Sequence, residues 1–251
     1  VILMANMTRE HHIEKLQKAG CVYARVAFES ANEYIRNAVF RKNTTLKQLE
    51  DSAGWIKKYG IRLGSLNMLG GPGASLDDEL ETVALNIRCK VDHPLVSIMQ
   101  PYPMFDIEDM TKEMGYAVAA YDDFPVKFNR TSSIEFDNKR EIENLHKLFP
   151  IIVRNGWMMK FVKPMIRQRW LSKVYLIMYM LHSEWMVSEQ AKLYAHAQGL
   201  SGMRYWKSVD FVRRVSVKGV IRTYENIFGK ISQRIAMKLQ MGDERVIAHM
   251  D

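Results

Sequence analysis

The chain is short of cysteine, of long apolar runs and of spaced metal ligands, and each shortage closes off a class of protein. Only two cysteines stand in 251 residues, Cys21 and Cys89, far apart and without paired spacing. Neither a disulfide framework nor a cysteine-based metal centre can be read from them. No stretch approaches the roughly 18–20 apolar residues of a membrane-crossing helix. The opening VILMANMTREHH lacks the charged, apolar and small-residue regions of a secretory signal. A cytoplasmic protein is expected, at most peripheral to the inner face of a membrane. No Gly-Lys-Ser/Thr is present, which excludes a Walker-type nucleotide loop. His11 and His12 are neighbours on an expected helix, where they point about 100° apart and cannot share a metal. Asp122 and Asp123 are adjacent acids without spaced partners, expected in a solvated loop.

What is present is a globular composition, 47% hydrophobic and 25% charged, enough for one large α/β domain or a domain with an appendage. Charge is uneven. Residues 1–150 carry 19 Lys+Arg against 21 Asp+Glu, and residues 151–251 carry 17 against 7. The balances, −2 and +10, indicate two regions with different partners, the second drawn to an anionic surface.

The first ~115 residues alternate strand-like and helix-like segments at the period of βα units. VILMA reads as the tail of a strand, so the chain is expected to open inside a domain. A helix follows over 8–18 with Thr8 as N-cap and Gly20 closing it. VYARVAF is a strand ending at Glu29-Ser30, and ANEYIRNAVFRKN a helix. Thr45 caps a further helix whose Leu46, Leu49, Ala53 and Ile56 form one stripe. IRLGSLNML is a strand running into GGPGAS, after which Leu76, Leu80, Val83, Ala84 and Ile87 give another apolar face, begun by Ser75 or Asp77. LVSIMQ is a strand, followed by the turn PYPMFD and a short helix to Gly115. Two parallel architectures fit: an open doubly wound sheet or a (β/α) barrel. Both gather ligands at the carboxyl ends of strands, where Glu29, Asn67 and Gln100 fall. Beyond 116 the alternation stops. Asp137 is placed to cap a helix carrying Ile142, Leu145, Leu148 and Ile152, with Pro150 near its end, and basic helical patterns rich in Met, Trp and Tyr follow.

The glycine turn NMLGGPGASL breaks the G-x-G-x-x-G fingerprint, and Pro72 removes a backbone donor that a phosphate cradle would use; a tight βα turn is the competing reading. Glu29 suits a ligand hydroxyl or amine, or a base, and equally the start of the next helix. Asn67, Gln100 and Tyr102 suit recognition of fixed polar groups better than proton chemistry; turn capping is their alternative. In the basic C-terminal region, Lys and Arg interleaved with Trp157, Trp170 and Trp185 suit a membrane surface above nucleic acid, and a charged helical bundle is the plainer reading.

The order and spacing of KAGCVYARVAFESANEYIRNAVFRKN, AGWIKKYGIRLGSLNMLGGPGASLDDELETVALNIRCK and SIMQPYP resemble the C-terminal portion of radical S-adenosylmethionine (SAM) enzymes of the cobalamin-binding-domain type. SSIEFDNKREIENLHKLFPI resembles their helical tail. The resemblance implies an α/β fold, the later strands of a partial (β/α)6 barrel over 1–115, followed by an all-α connector and basic region over 116–251. It implies SAM and a 4Fe-4S cluster whose Cys-x-x-x-Cys-x-x-Cys loop is outside this chain, with cobalamin held by a further missing domain. Glu29 and Ser30 would match the strand end that contacts the ribose or methionine part of SAM. Asn67, Met68, Leu69, Gly70 and Gly71 would pack on adenine, and Gln100, Pro101 and Tyr102 would lie near adenine and substrate. Met4, Ala31, Gly71, PGAS and YPMF depart from the family's usual residues. The function so implied is radical chemistry on a large, lipid-like substrate, with the chain inactive until its cluster half is supplied. The rival from the residues alone is a non-catalytic, membrane-peripheral protein acting through 151–251.

Overall fold

The structure, a computed structural model, describes residues 1–119 and 131–209. Asp122, Asp123 and the basic stretch from 210 onward lie outside the described residues. Four strands form one parallel sheet: β1 (Ile2–Leu3), β2 (Tyr23–Glu29), β3 (Arg62–Leu69) and β4 (His93–Ile98). Their spatial order is β1-β2-β3-β4. A doubly wound sheet reverses its strand order at a switch point; here the order never reverses. Right-handed crossovers then put every connecting helix on the same face, as in a barrel wall.

Those crossovers are α1 (Glu10–Lys18), α2 (Leu46–Lys58) and α3 (Leu76–Arg88). Along β3 the period-2 alternation sends Leu63, Ser65, Asn67 and Leu69 into the helix layer, where all are buried, while Leu66 and Met68 on the other face are half-exposed. Leu49, Ala53 and Ile56 of α2 and Leu80, Val83 and Leu85 of α3 close the core from the helix side. α2 and α3 begin with capping boxes. Thr45 Oγ1 accepts from the Gln48 N–H while the Gln48 side chain accepts from the Thr45 N–H, and Ser75 and Asp78 do the same.

Four local expectations are corrected. Helix α1 starts after Arg9, because the Thr8 hydroxyl donates to the Met4 carbonyl and caps nothing. The segment 31–43 is not a full helix but a π-helical turn, Ile35–Val39, closed by the Phe40 N–H donating to Ile35 O. Asn37 breaks its continuation by bonding Thr44 through both amide atoms, and Arg41 and Asn43 adopt positive φ. β4 begins earlier than expected and includes Pro94, tolerated because β4 is an edge strand.

The fourth correction concerns α5 (Lys139–Arg154). Its N-cap is Asn138, not Asp137, and the helix passes through Pro150. Proline leaves the carbonyl four residues back without its helical donor. Burial of Leu145, Leu148, Phe149 and Ile152 holds the helix together across that gap. α4 (Asp106–Glu113) is capped by Met114 and followed by Gly115 at φ 82, close to the expected end.

α5 packs on β4 and α3 and is followed by a 3₁₀ segment, Gly156–Phe161, then α6 (Val162–Ile166) and α7 (Ser172–Ala197). The chain divides into two compact units, Val1–His182 and Ser183–Asp251, so α5 and α6 belong with the sheet. In the second unit the described residues have a small core of Ala191, Ala195 and Val209 flanked by Leu200 and Tyr205. Among the described residues no helix is long and apolar enough to cross a membrane.

Candidate functional site

The carboxyl edge of the sheet carries a cavity of about 580 Å³, within the usual range for small-molecule sites. Its wall is apolar and sulfur-rich, with Ile98 buried, Phe40, Met68 and Met110 half-buried, and Met104 and Phe105 exposed at the rim. Lys42, Ser97, Gln100 and Tyr102 supply the polar groups. Backbone strain gathers here. Five non-glycine residues with positive φ are described, and four of them, Glu29, Arg41, Asn43 and Met104, belong to the segments around this cavity. Each such residue costs on the order of 1 kcal/mol or more, a cost that persists where surrounding structure imposes it.

Glu29 ends β2 at φ 59, past a register shift between Ala27 and Glu29. Its side chain is buried, and Oε1 lies 2.9 Å from Lys42 Nζ. Glu29 therefore reaches the cavity wall through Lys42. It does not start the following turn: Asn32 does so, accepting from the Ile35 N–H at 3.1 Å while donating to Asp78 Oδ1. Ser30 Oγ accepts from the Asn32 N–H at 3.2 Å.

Arg36 holds this arrangement, and it went unnoticed in the sequence. Its guanidinium is fully buried, with Nε donating to Thr44 O at 2.6 Å and Nη1 to Ser30 O and Ala31 O at 2.8 and 3.0 Å. Nη2 has no hydrogen-bond partner among the described residues. Burial lowers its pKa from the ordinary arginine value. One side chain thus ties the turn after Glu29 to the loop bearing Lys42. The available signal was a cation sharing a helical face with Val39 and Phe40.

Other site candidates are divided by the pleat. Met68 is on the cavity wall. Asn67 and Leu69 turn to the helices: the Asn67 amide donates to Ser65 Oγ and Leu95 O, and accepts from Asn86 Nδ2 at 2.7 Å. Asn86 also bonds Thr82 O, and the Thr82 hydroxyl accepts from the Ala31 N–H at 3.0 Å. This buried polar chain runs behind the sheet from β3 to the turn after Glu29. Gln100 lines the cavity and also pins the connector, donating to Thr131 O and accepting from the Ser133 N–H. Pro101 is buried, and Tyr102 is partly exposed at the rim.

The glycine turn is built for close packing. Gly70 has φ 74 and its N–H donates to Glu79 Oε1 at 2.6 Å. A Cβ at Gly71 would stand 2.8 Å from Phe40 Cζ, so the missing side chain makes room for a cavity-wall ring. The Gly73 N–H donates to the Tyr116 hydroxyl. With these two donors engaged and Pro72 having none, little of the loop's backbone is left to cradle an anion. Glu79 is fully buried, and desolvation pushes its carboxyl up to about 8. It therefore accepts the Gly70 bond as a neutral acid near pH 7.

The two thiols lie at the opposite edge. Cys21 precedes β2 and Cys89 caps the end of α3, where burial pushes its thiol up to about 11. Among the described residues no group of three or more His, Cys, Asp or Glu could hold a metal ion. Two separated thiols, one held protonated, do not fit a cluster that needs several thiolates converging on it.

A search of curated proteins found no match. Residues 1–85, spanning β1 to the third turn of α3, match the family model described as Radical SAM superfamily. That superfamily's chemistry is SAM-dependent and radical. With a non-reversing parallel sheet and a cavity at its carboxyl edge, this part of the chain is similar to the radical SAM superfamily in both sequence and fold.

Proposed function

We propose that the chain is part of a radical SAM enzyme and that the carboxyl-edge cavity receives the adenosyl part of SAM. The observation that supports this most is the coincidence of the 1–85 match with a strained, Met- and Phe-lined cavity at the strand ends. Met68 and Phe40 offer flat or pliable apolar surface to a purine. Glu29, with Lys42 as its partner, offers a carboxylate for ribose hydroxyls or the amino-acid end, beside Ser30. The backbone of Leu69 to Gly71 and the Gln100–Tyr102 turn complete the surround. The exposed apolar rim, Met104 and Phe105, suits a large, lipid-like substrate.

The chain's own thiols do not fit the 4Fe-4S cluster, so in this reading the cluster ligands come from polypeptide outside these 251 residues. What this chain contributes is a binding wall: Arg36 fixes the Glu29 turn, Asn67 and Asn86 brace it from behind, and the closed glycine loop keeps water from the purine side. Saturation-transfer NMR with S-adenosylhomocysteine is expected to show adenine and ribose protons in contact with the chain. Met68→Trp, which fills the cavity, should abolish the transfer. An unchanged signal in that variant, or none in the parent chain, would refute the assignment.

A further inference from the structure

Residues 144–183 contain seven Lys or Arg and no Asp or Glu. Two of the three tryptophans of the first unit are exposed in this stretch. Trp157 is 67% exposed, Phe161 54% and Trp170 75%, and the Trp157 and Phe161 rings meet edge-on at 6.4 Å. Lys160, Arg167 and Lys173 are exposed between and beside them, followed by exposed Val174 and Ile177. A ring left in water forgoes the transfer energy that drives its burial, and the stretch has no acid of its own to neutralise its cations.

Its course over the fold is defined. A Cβ at Gly156 would lie 3.2 Å from Ile87 Cγ2, near the end of α3. Lys163 Nζ lies 2.7 Å from Asp77 Oδ1, at the start of α3. The segment therefore runs back along α3 toward the carboxyl edge, the edge that bears the cavity. Met158, Val162 and Ile166 anchor it in the core, leaving the aromatic and basic side chains outward.

We infer that Gly156–Lys173 is a membrane-docking ridge that seats on an anionic lipid surface. Indole and phenyl rings settle at the headgroup–acyl boundary, and lysine and arginine reach from apolar stems to lipid phosphates. Charge complementarity selects the partner: an acid-free basic ridge meets a negative leaflet. The inference stands apart from the adenosyl reading, since none of these residues lines the cavity.

The test is co-sedimentation of the full chain with vesicles of phosphatidylcholine alone and of phosphatidylcholine with phosphatidylglycerol, with brominated acyl chains as quenchers of tryptophan emission. Salt-sensitive binding to the anionic vesicles is expected. Lys160→Glu with Arg167→Glu should weaken it by at least about tenfold with thermal melting unchanged. Trp157→Phe with Trp170→Phe should keep the binding and lose most of the quenching. Equal binding to both vesicle types, or partitioning unmoved by the charge reversal, would overturn the inference. So would displacement of the vesicles by a DNA or RNA duplex whose binding is lost in the same variant. Vesicle binding that survives Met68→Trp would show the two proposals to be separable.

Discussion

The two edges of the sheet differ in how they treat charge and strain. At the amino edge, Asp92 is held by Lys57 at 2.8 Å, Arg62 at 3.1 Å and the Leu63 N–H at 2.8 Å. Burial pushes its carboxyl up, but these hydrogen bonds and the lysine charge outweigh it and leave the pKa below the usual aspartate value. The described backbone there is ordinary apart from Lys90, whose positive φ ends α3. At the carboxyl edge a buried arginine bonds three carbonyls and, among the described residues, no carboxylate, a glutamate sits in left-handed backbone, and a second buried glutamate is kept neutral. One edge is arranged for stability, and strain and buried polarity gather at the other, the edge where parallel β/α architecture usually carries its ligands.

Arg36→Ala should break that contrast most strongly. It strands three buried carbonyls, and a loss of about 3–5 kcal/mol in urea unfolding is expected, together with loss of adenosyl contact in the NMR experiment. Arg36→Lys should recover part of the stability. Recovery of the full stability would show that the fork geometry of the guanidinium is not needed.

Glu79 sharpens the comparison through pH. Its folded pKa, about 8, is above the ordinary 4.5, so the folded state binds the extra proton between those values. Stability is greatest below the unfolded pKa and falls by a few kcal/mol as pH rises through 8. Melting temperatures measured across this range should decline in the parent chain and stay flatter in Glu79→Gln. Parallel pH profiles would show that Glu79 is not the cause.

Asp92→Asn is the smaller perturbation, about 1–3 kcal/mol. Its depressed pKa makes the contribution full above pH 3.8 and lost as pH falls through the folded value. Adenosyl contact should be unchanged, because the residue is at the opposite edge. A loss of contact would mean that the two edges are coupled.

Much of the fold was legible from local pattern. Thr45 marked one helix start and Ser75, offered together with Asp77, another, and the apolar stripes of α2 and α5 showed their buried faces. Thr8 and Asp137 misled, because a hydroxyl or carboxylate before a helix caps only if the backbone offers it an N–H, and here Arg9 and Asn138 hold those positions. The stretch 31–43 misled because helix propensity does not register Asn37 reaching Thr44. The stripe that includes Ile152 carried the helix past Pro150 in the sequence, and burial of that face sustains it to Arg154.

Sequence by itself determined the βα alternation, the edge where polar strand ends collect, and a resemblance that the match over 1–85 supports at the level of the radical SAM superfamily. Tertiary structure decided which of two alternating residues lines the cavity. Asn67 and Met68 are neighbours, yet period-2 pleating sends one to α3 and the other to the cavity, and no local pattern states which face the helices will cover. It also decided the roles of Arg36, Glu79 and Asn86. Their partners, Thr44, Gly70 and Asn67, come together only when three turns converge at one edge, where exclusion of water makes each unpaired polar group costly enough to require them.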